Sequence, residues 1–251
     1  MSSTEPASIP EVTLRPATED DGDAIAGVHT EARRGALPAM PPGIHTHEET
    51  RAWIRSRLHE HQFWVAEAGG AVVGYAAISP GWLDDLYVRP GFAGRGIGSA
   101  LLDVAKAVCP AGFALWVFES NEPARRFYRR HGLVELEHTD GSSNEERAPD
   151  LRMAWPGQEP LAYLRARVDE VDDELAVVLA RRAALTAAIQ HVKEVPGHEG
   201  RDPDREAAIA HRMGVRAPGL SEEGLRRIMH EVISVSLDAA APPAPEDRPR
   251  R

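Results

Sequence analysis

Residues 161–193 read LAYLRARVDEVDDELAVVLARRAALTAAIQHVK. Apolar residues recur at Leu161, Leu164, Val168, Val171, Leu175, Val178, Leu185, Ile189 and Val192, mostly in steps of three and four. That spacing is the mark of a helix that buries one stripe. The slot that breaks the stripe holds Arg182. A guanidinium on an apolar face is costly without a partner, so Arg182 expects a ligand anion or a carboxylate from another helix. Lys193 follows about 20° round the axis and roughly 16 Å along it. Two cations on one inner face can line a pocket for a negatively charged occupant.

The helix spans about 50 Å at its full length. The helices expected after it, 203–213 and 221–238, are too short to cover it. Its stripe therefore predicts burial against a second copy of itself, a homodimer joined through 161–193. Arg165 lies about 100° away from Arg182 and is better placed to reach the pocket of the other subunit.

The run 161–193, then RDPDRE at 201–206 and LSEEGLRRIMHEVISVSL at 220–237, resembles the all-helical chorismate mutase family over 161–238. The resemblance implies a three-helix domain that rearranges chorismate to prephenate. It implies substrate-binding cations at Arg165, Arg182, Lys193 and Arg205, a hydroxyl-binding loop and carboxylate at Asp202 and Glu206, and a substrate-facing Ser236. Arg182, Lys193 and Glu206 are the catalytic members of that set. Among 29 basic residues only Lys106 and Lys193 are lysines, and one of them falls where the family uses lysine. The residue types suit the chemistry. Chorismate is a dicarboxylate that rearranges within one molecule, so catalysis needs only a held conformer and charge stabilisation. Arginine forks match carboxylates, and lysine suits an ether oxygen that gains charge.

Simpler roles stand beside these. Asp202 precedes Pro203 and makes a natural N-cap; Glu206 is a first-turn carboxylate; Arg205 alone reads as solvated. The family usually has Gln or Glu one turn after the serine, where this chain has Ala240. Loss of such a donor costs about two to three orders of magnitude in rate. The helical domain is thus read as a mutase, as a catalyst for a related enolpyruvyl compound, or as a dimerising, ligand-sensing module.

A Pro/Gly joint, PGQEP at 156–160, separates this domain (161–238) from another at 11–156; residues 1–10 and 239–251 are expected to be disordered. The front part alternates expected strands (12–16, 62–68, 71–79, 83–88, 113–118, 133–138, 150–155) with expected helices (20–32, 47–60, 97–108, 122–131). The fold class is therefore an α/β domain with a mixed central sheet and flanking helices, followed by an all-α domain. Its densest spot is LYVRPGFAGRGIGSALL at 86–102, a strand, a glycine-rich turn and an amphipathic helix, which is a generic phosphate cradle.

With NEPARRFY at 121–128, Gly132-Leu133 and LRMAW at 151–155, that stretch resembles the GNAT-type N-acetyltransferases over most of 11–155. The resemblance implies acetyl-CoA as co-substrate. It implies a pyrophosphate held by Gly94, Arg95, Gly96, Ile97, Gly98 and Ser99, and a pantetheine arm beside Val88 and Asn121. Tyr128 would protonate the departing thiolate. Ala93 stands where the family usually has Gln or Arg, a change that a backbone cradle tolerates. Asn121 is equally a helix N-cap, and Tyr128 equally a core residue. Asp84, Asp85 and Glu119 are general-base candidates by location only, and the acceptor amine is unreadable.

A net charge of −10 argues against a nucleic-acid partner. The lone Cys109 excludes an internal disulfide. Finding no signal peptide and no apolar run of 18 residues, we expect a cytoplasmic protein with no membrane partner. His45, His47, His59 and His61 lack a supporting Cys or carboxylate pattern, so no metal is expected. The combined expectation is a bifunctional enzyme taking an amine and a chorismate-like dicarboxylate. The alternatives are a single-activity acetyltransferase with a helical sensing module, or a helical catalyst with a scaffold in front.

Overall fold

A computed structural model describes residues 11–193, 195, 197–217 and 219–241. The chain divides into two compact units at Arg165/Ala166. The first turn of the long helix belongs to the front unit. There the Tyr163 ring lies over Gly112, leaving no room for a Cβ at that position.

The front unit is a seven-stranded sheet: β1 Val12–Pro16, β2 Gln62–Ala68, β3 Ala71–Ser79, β4 Trp82–Val88, β5 Phe113–Phe118, β6 Val134–Thr139 and β7 Asp150–Trp155. Their spatial order is β1-β2-β3-β4-β5-β7-β6. Every neighbouring pair is antiparallel except β4 and β5. That parallel pair touches in register only at Trp82↔Ala114. Beyond this point the strands part, and the sheet opens into a wedge at their C-terminal ends.

Four helices flank the sheet: α1 Gly22–Gly35, α2 His47–Arg57, α3 Ile97–Val108 and α4 Glu122–Arg130. The expected start of α1 at residue 20 falls in a 3₁₀ turn at Glu19–Asp21, where Asp21 accepts two hydrogen bonds from Arg15 (2.7 and 2.9 Å) and one from Thr18 N (2.7 Å). A bulge at Val73, skipped between the pairs Ala66↔Gly74 and Glu67↔Val72, switches the alternation of β3. In consequence Val72, Tyr75 and Ala77 join Ile25, Val28 and Ile54 in one core, while Val73, Ala76 and Ile78 join Leu101 and Leu102 in the other. Gly74 lets α3 sit close: a Cβ there would lie 3.1 Å from Tyr87 O and 3.2 Å from Ile97 Cγ2.

The helical unit comprises the remainder of α5 (Pro160–Val192), with α6 (Pro203–Arg216) and α7 (Glu222–Ala240). Met229, Ile233 and Leu237 of α7 pack on Ile209 and Met213 of α6. No residue of α5 is buried within this one chain. Two expectations change here. α7 runs on to Ala240, so part of the tail read as disordered is helical; residues 1–10 and 242–251 lie outside the described residues. And α5 is, by length and composition alone, long and apolar enough to cross a membrane. Its two adjacent arginines, Arg181 and Arg182, are diluted by the alanines and branched residues around them. An arginine mid-membrane is nevertheless unfavourable by about 3 kcal/mol.

Candidate functional site

The glycine-rich loop turns where the sequence permits left-handed backbone. Gly94 and Gly96 have φ of +75° and +83°, and Gly96 is the residue before the first turn of α3. The unpaired N–H groups of that first turn face a cleft of about 620 Å³. Val88, Gly94, Gly96, Gly98, Ser99 and Tyr128 line it. Ile97 turns its side chain into the core and has only backbone to offer, and the Arg95 guanidinium lies 5.1 Å from the Phe92 ring centroid rather than on the cleft wall. His131, which the sequence reading missed, also lines the cleft and contacts Ser99 Oγ at 2.9 Å.

A second cavity of about 270 Å³ fills the wedge between β4 and β5. It shares Leu86, Val88, Ala124 and Tyr128 with the loop cleft, so the two adjoin. Asn121 Oδ1 caps α4 by accepting from Ala124 N at 3.3 Å, and the residue also lines the wedge.

The three general-base candidates separate sharply. Asp84 is paired with Arg57 (3.1 Å) and His61 (3.2 Å). Glu119 is exposed, with His138 at 3.9 Å. Asp85 is 8% exposed on the wedge wall, and its Oδ2 has no hydrogen-bond partner among the described residues. Burial pushes its carboxyl up to about 6, against the opposing pull of Arg57. Burial also pushes the Tyr128 and Tyr87 phenols up, and lowers His29, which contacts Tyr75 Oη at 2.9 Å, to about 4. Of the clustered histidines, His45 meets Glu145 (2.8 Å) and His47 meets Thr30 (3.0 Å).

In the helical unit Arg182 Nη1 donates to Ser236 Oγ at 3.1 Å, and Ser236 is buried. Lys193 donates to Gly200 O, and Asp202 caps α6 by accepting from Arg205 N at 3.0 Å. Arg165 and Arg205 are exposed. Glu206 is gripped by Arg201 through two parallel bonds of 2.8 and 2.6 Å, which hold its carboxyl below the usual range. Arg201 also reaches Ser234 (3.0 Å) and His230 (3.0 Å). Ser234 and Ser236 lie about 200° apart round α7. The expected set therefore splits: Arg182 and Ser236 meet on one flank of α7, and Glu206 sits on the other. Arg201 opens the RDPDRE run, but nothing in the sequence alone signals its bond to Glu206.

Residues 30–133 match the family model for the acetyltransferase (GNAT) family, and residues 164–240 match that for chorismate mutase type II. An uncharacterized N-acetyltransferase of Archaeoglobus fulgidus is 30% identical over 147 residues, 53% of this chain and 99% of the relative. The chain belongs to the GNAT acetyltransferase family. A second uncharacterized N-acetyltransferase, from Methanocaldococcus jannaschii, is 31% identical over 144 residues; the match spans 51% of this chain and 63% of that protein. Among solved structures, apo-form YjaB from Escherichia coli aligns with 23% identity and a TM-score of 0.49, covering 59% of this chain and 99% of that one. The GNAT domain thus carries the glycine loop and the wedge, and the region matched by the chorismate mutase type II model holds most of α5 together with α6 and α7.

Proposed function

We propose that this chain is a bifunctional enzyme that transfers an acetyl group from acetyl-CoA to an amine and rearranges chorismate, or a close analogue, to prephenate. The observation that carries the first activity is the shared wall of cleft and wedge, which joins a phosphate cradle to a cavity holding one buried carboxylate, Asp85, whose Oδ2 has no hydrogen-bond partner among the described residues. Supporting a coenzyme there, Gly94 and Gly96 leave open backbone on the cleft for a pyrophosphate, and Val88, on both cleft and wedge, and Asn121, on the wedge, would flank the arm. Acetyl-CoA supplies the acetyl group as a thioester.

Asp85 takes one proton from the substrate ammonium, freeing the nitrogen lone pair to attack the acetyl carbon. Tyr128 gives its phenolic proton to sulfur as the carbon–sulfur bond breaks. The second amine proton restores Tyr128, and Asp85 releases the first to water. Saturating acetyl-CoA is expected to raise the melting temperature, with amine-dependent thiol release; no shift at millimolar ligand would remove the reading.

For the mutase domain, Arg182 and Lys193 are proposed to hold the carboxylate and ether oxygen of the substrate. The exposed stripe of α5, with Leu161, Val168, Val171, Leu175, Val178, Leu185, Ile189 and Val192 each 47–82% exposed, supports a homodimer in which Arg165 serves the partner's pocket. A cytoplasmic location belongs to this reading. Consumption of chorismate, abolished by Lys193→Ala, tests it. Ala240 and the engagement of Glu206 by Arg201 favour a second reading, in which the domain binds such an anion without turnover.

A further inference from the structure

The amine acceptor has its own marks in the GNAT domain. Beyond Asp85 and Tyr87, which also wall the wedge, lies an outer cavity of about 620 Å³. Two side chains on its wall each keep one atom with no hydrogen-bond partner among the described residues, Asp85 Oδ2 and Arg33 Nε, while Asp85 also bonds Tyr75 and Arg33 also bonds Glu146 and Tyr87. One is an anionic acceptor and the other a cationic donor. Buried polar groups are rarely left unmet, so a pair of opposite kind describes its ligand. The ligand brings a charged N–H to Asp85 and an oxygen to Arg33.

The charge around the cavity narrows the class. Arg33 already holds Glu146 at 2.6 Å, and Glu145 and Glu49 stand on the same wall. A ligand carboxylate at Arg33 meets these like charges; a neutral carbonyl oxygen does not. A simple alkylamine satisfies Asp85 but leaves Arg33 Nε unpaired. Building on the acetyltransferase reading above, we propose that the acceptor is an α-amino group attached to a neutral carbonyl, as in an amino-acid amide or the amino terminus of a peptide. Its ammonium lies at Asp85 and its carbonyl oxygen at Arg33, with the aromatic rings of Trp53 and Phe118 beside its side chain.

The test uses the full chain, acetyl-CoA and three probes that share a benzyl group: L-phenylalaninamide, L-phenylalanine and 2-phenylethylamine. The tripeptide Phe-Gly-Gly is added to tell a small amide from a peptide terminus. Thiol release gives kcat/KM for each. Because the amide is intrinsically less basic than the amine, the deciding quantity is the amide-to-amine ratio in wild type against Arg33→Met, in which basicity cancels. That ratio is expected to fall by at least about tenfold, the worth of a lost charge-assisted hydrogen bond. Glu146→Gln, which keeps the guanidinium, is expected to narrow the gap between phenylalanine and its amide. A ratio unmoved by Arg33→Met overturns the proposal, as does preference for phenylalanine in wild type. If acetyl-CoA raises the melting temperature but no probe is acetylated, the acceptor class is wrong and the acetyltransferase reading stands; if neither occurs, that reading fails first.

Discussion

Asp85 on β4 and Tyr128 on α4 stand on the wall of the same wedge-shaped cavity. Burial acts on both in the same direction with opposite chemical results. It raises Asp85 to about 6, leaving the carboxylate mostly ionised at neutral pH, and raises Tyr128, which keeps its proton. A proton acceptor and a proton donor therefore coexist across the site. The rate is expected to rise with pH through an acid limb near 6 as Asp85 ionises, and then to level. A pH profile of kcat/KM checks this, and Asp85→Asn should lose the limb.

The same burial carries a stability cost with a defined pH window. Asp85 ionises near its ordinary value in the unfolded chain and only near 6 in the fold, so the fold loses stability as pH rises from about 4 to 6. Above that window Asp85→Asn should be more stable than wild type, by up to about 3 kcal/mol. Below pH 4 the two should coincide. Denaturant unfolding at pH 4 and pH 8 gives both values.

Gly96 occupies left-handed backbone with φ +83° at the entry to α3. Gly96→Ala should cost about 1–2 kcal/mol of stability through strain alone, since no atom lies within 4 Å of the added Cβ. It should also raise KM for acetyl-CoA more than it changes kcat, because the loop holds the phosphate end. Steady-state kinetics with acetyl-CoA as the varied substrate separates the two effects.

Much of this molecule was legible in its residues. Strands β1, β2, β3, β5 and β7 and helix α3 fall on their expected bounds because alternation and flanking turns fix them locally. Ends set by tertiary packing moved: α1 begins after a 3₁₀ turn tied to Arg15, and α7 continues past Asp238. The glycine loop, Asn121 and Tyr128 were readable as a motif. Asp85 could not be told from Asp84, since adjacent strand residues face opposite sides and only the folded sheet shows which one is buried. The pairings of Arg33 with Glu146 and of Arg201 with Glu206 stayed hidden because only the folded chain brings these side chains together.

The exposed stripe of α5 makes a prediction about assembly. Leu175→Glu with Val178→Glu places two charges on the face proposed to meet a second copy. Light scattering should report a dimer for wild type and a monomer for the double variant. A wild-type monomer at micromolar concentration would remove the shared mutase pocket from the account.

In the proposed mutase activity of the helical unit, Arg182, which donates to buried Ser236, is the cation to test first. Arg182→Ala should lower chorismate turnover by about two to three orders of magnitude, the effect typical of a lost charge-stabilising donor. Arg201→Ala, which frees Glu206, should raise affinity for chorismate if that carboxylate serves the ring hydroxyl. Chorismate consumption followed in both variants decides between turnover and binding alone.

The most direct test of the acetyl-transfer site compares wild type with Asp85→Asn for amine-dependent thiol release from acetyl-CoA, using a panel of amines and amino-acid amides at neutral pH. The account predicts turnover by wild type and a loss of about 10²–10⁴-fold in the variant, with acetyl-CoA binding retained. Equal rates in the two proteins would contradict it.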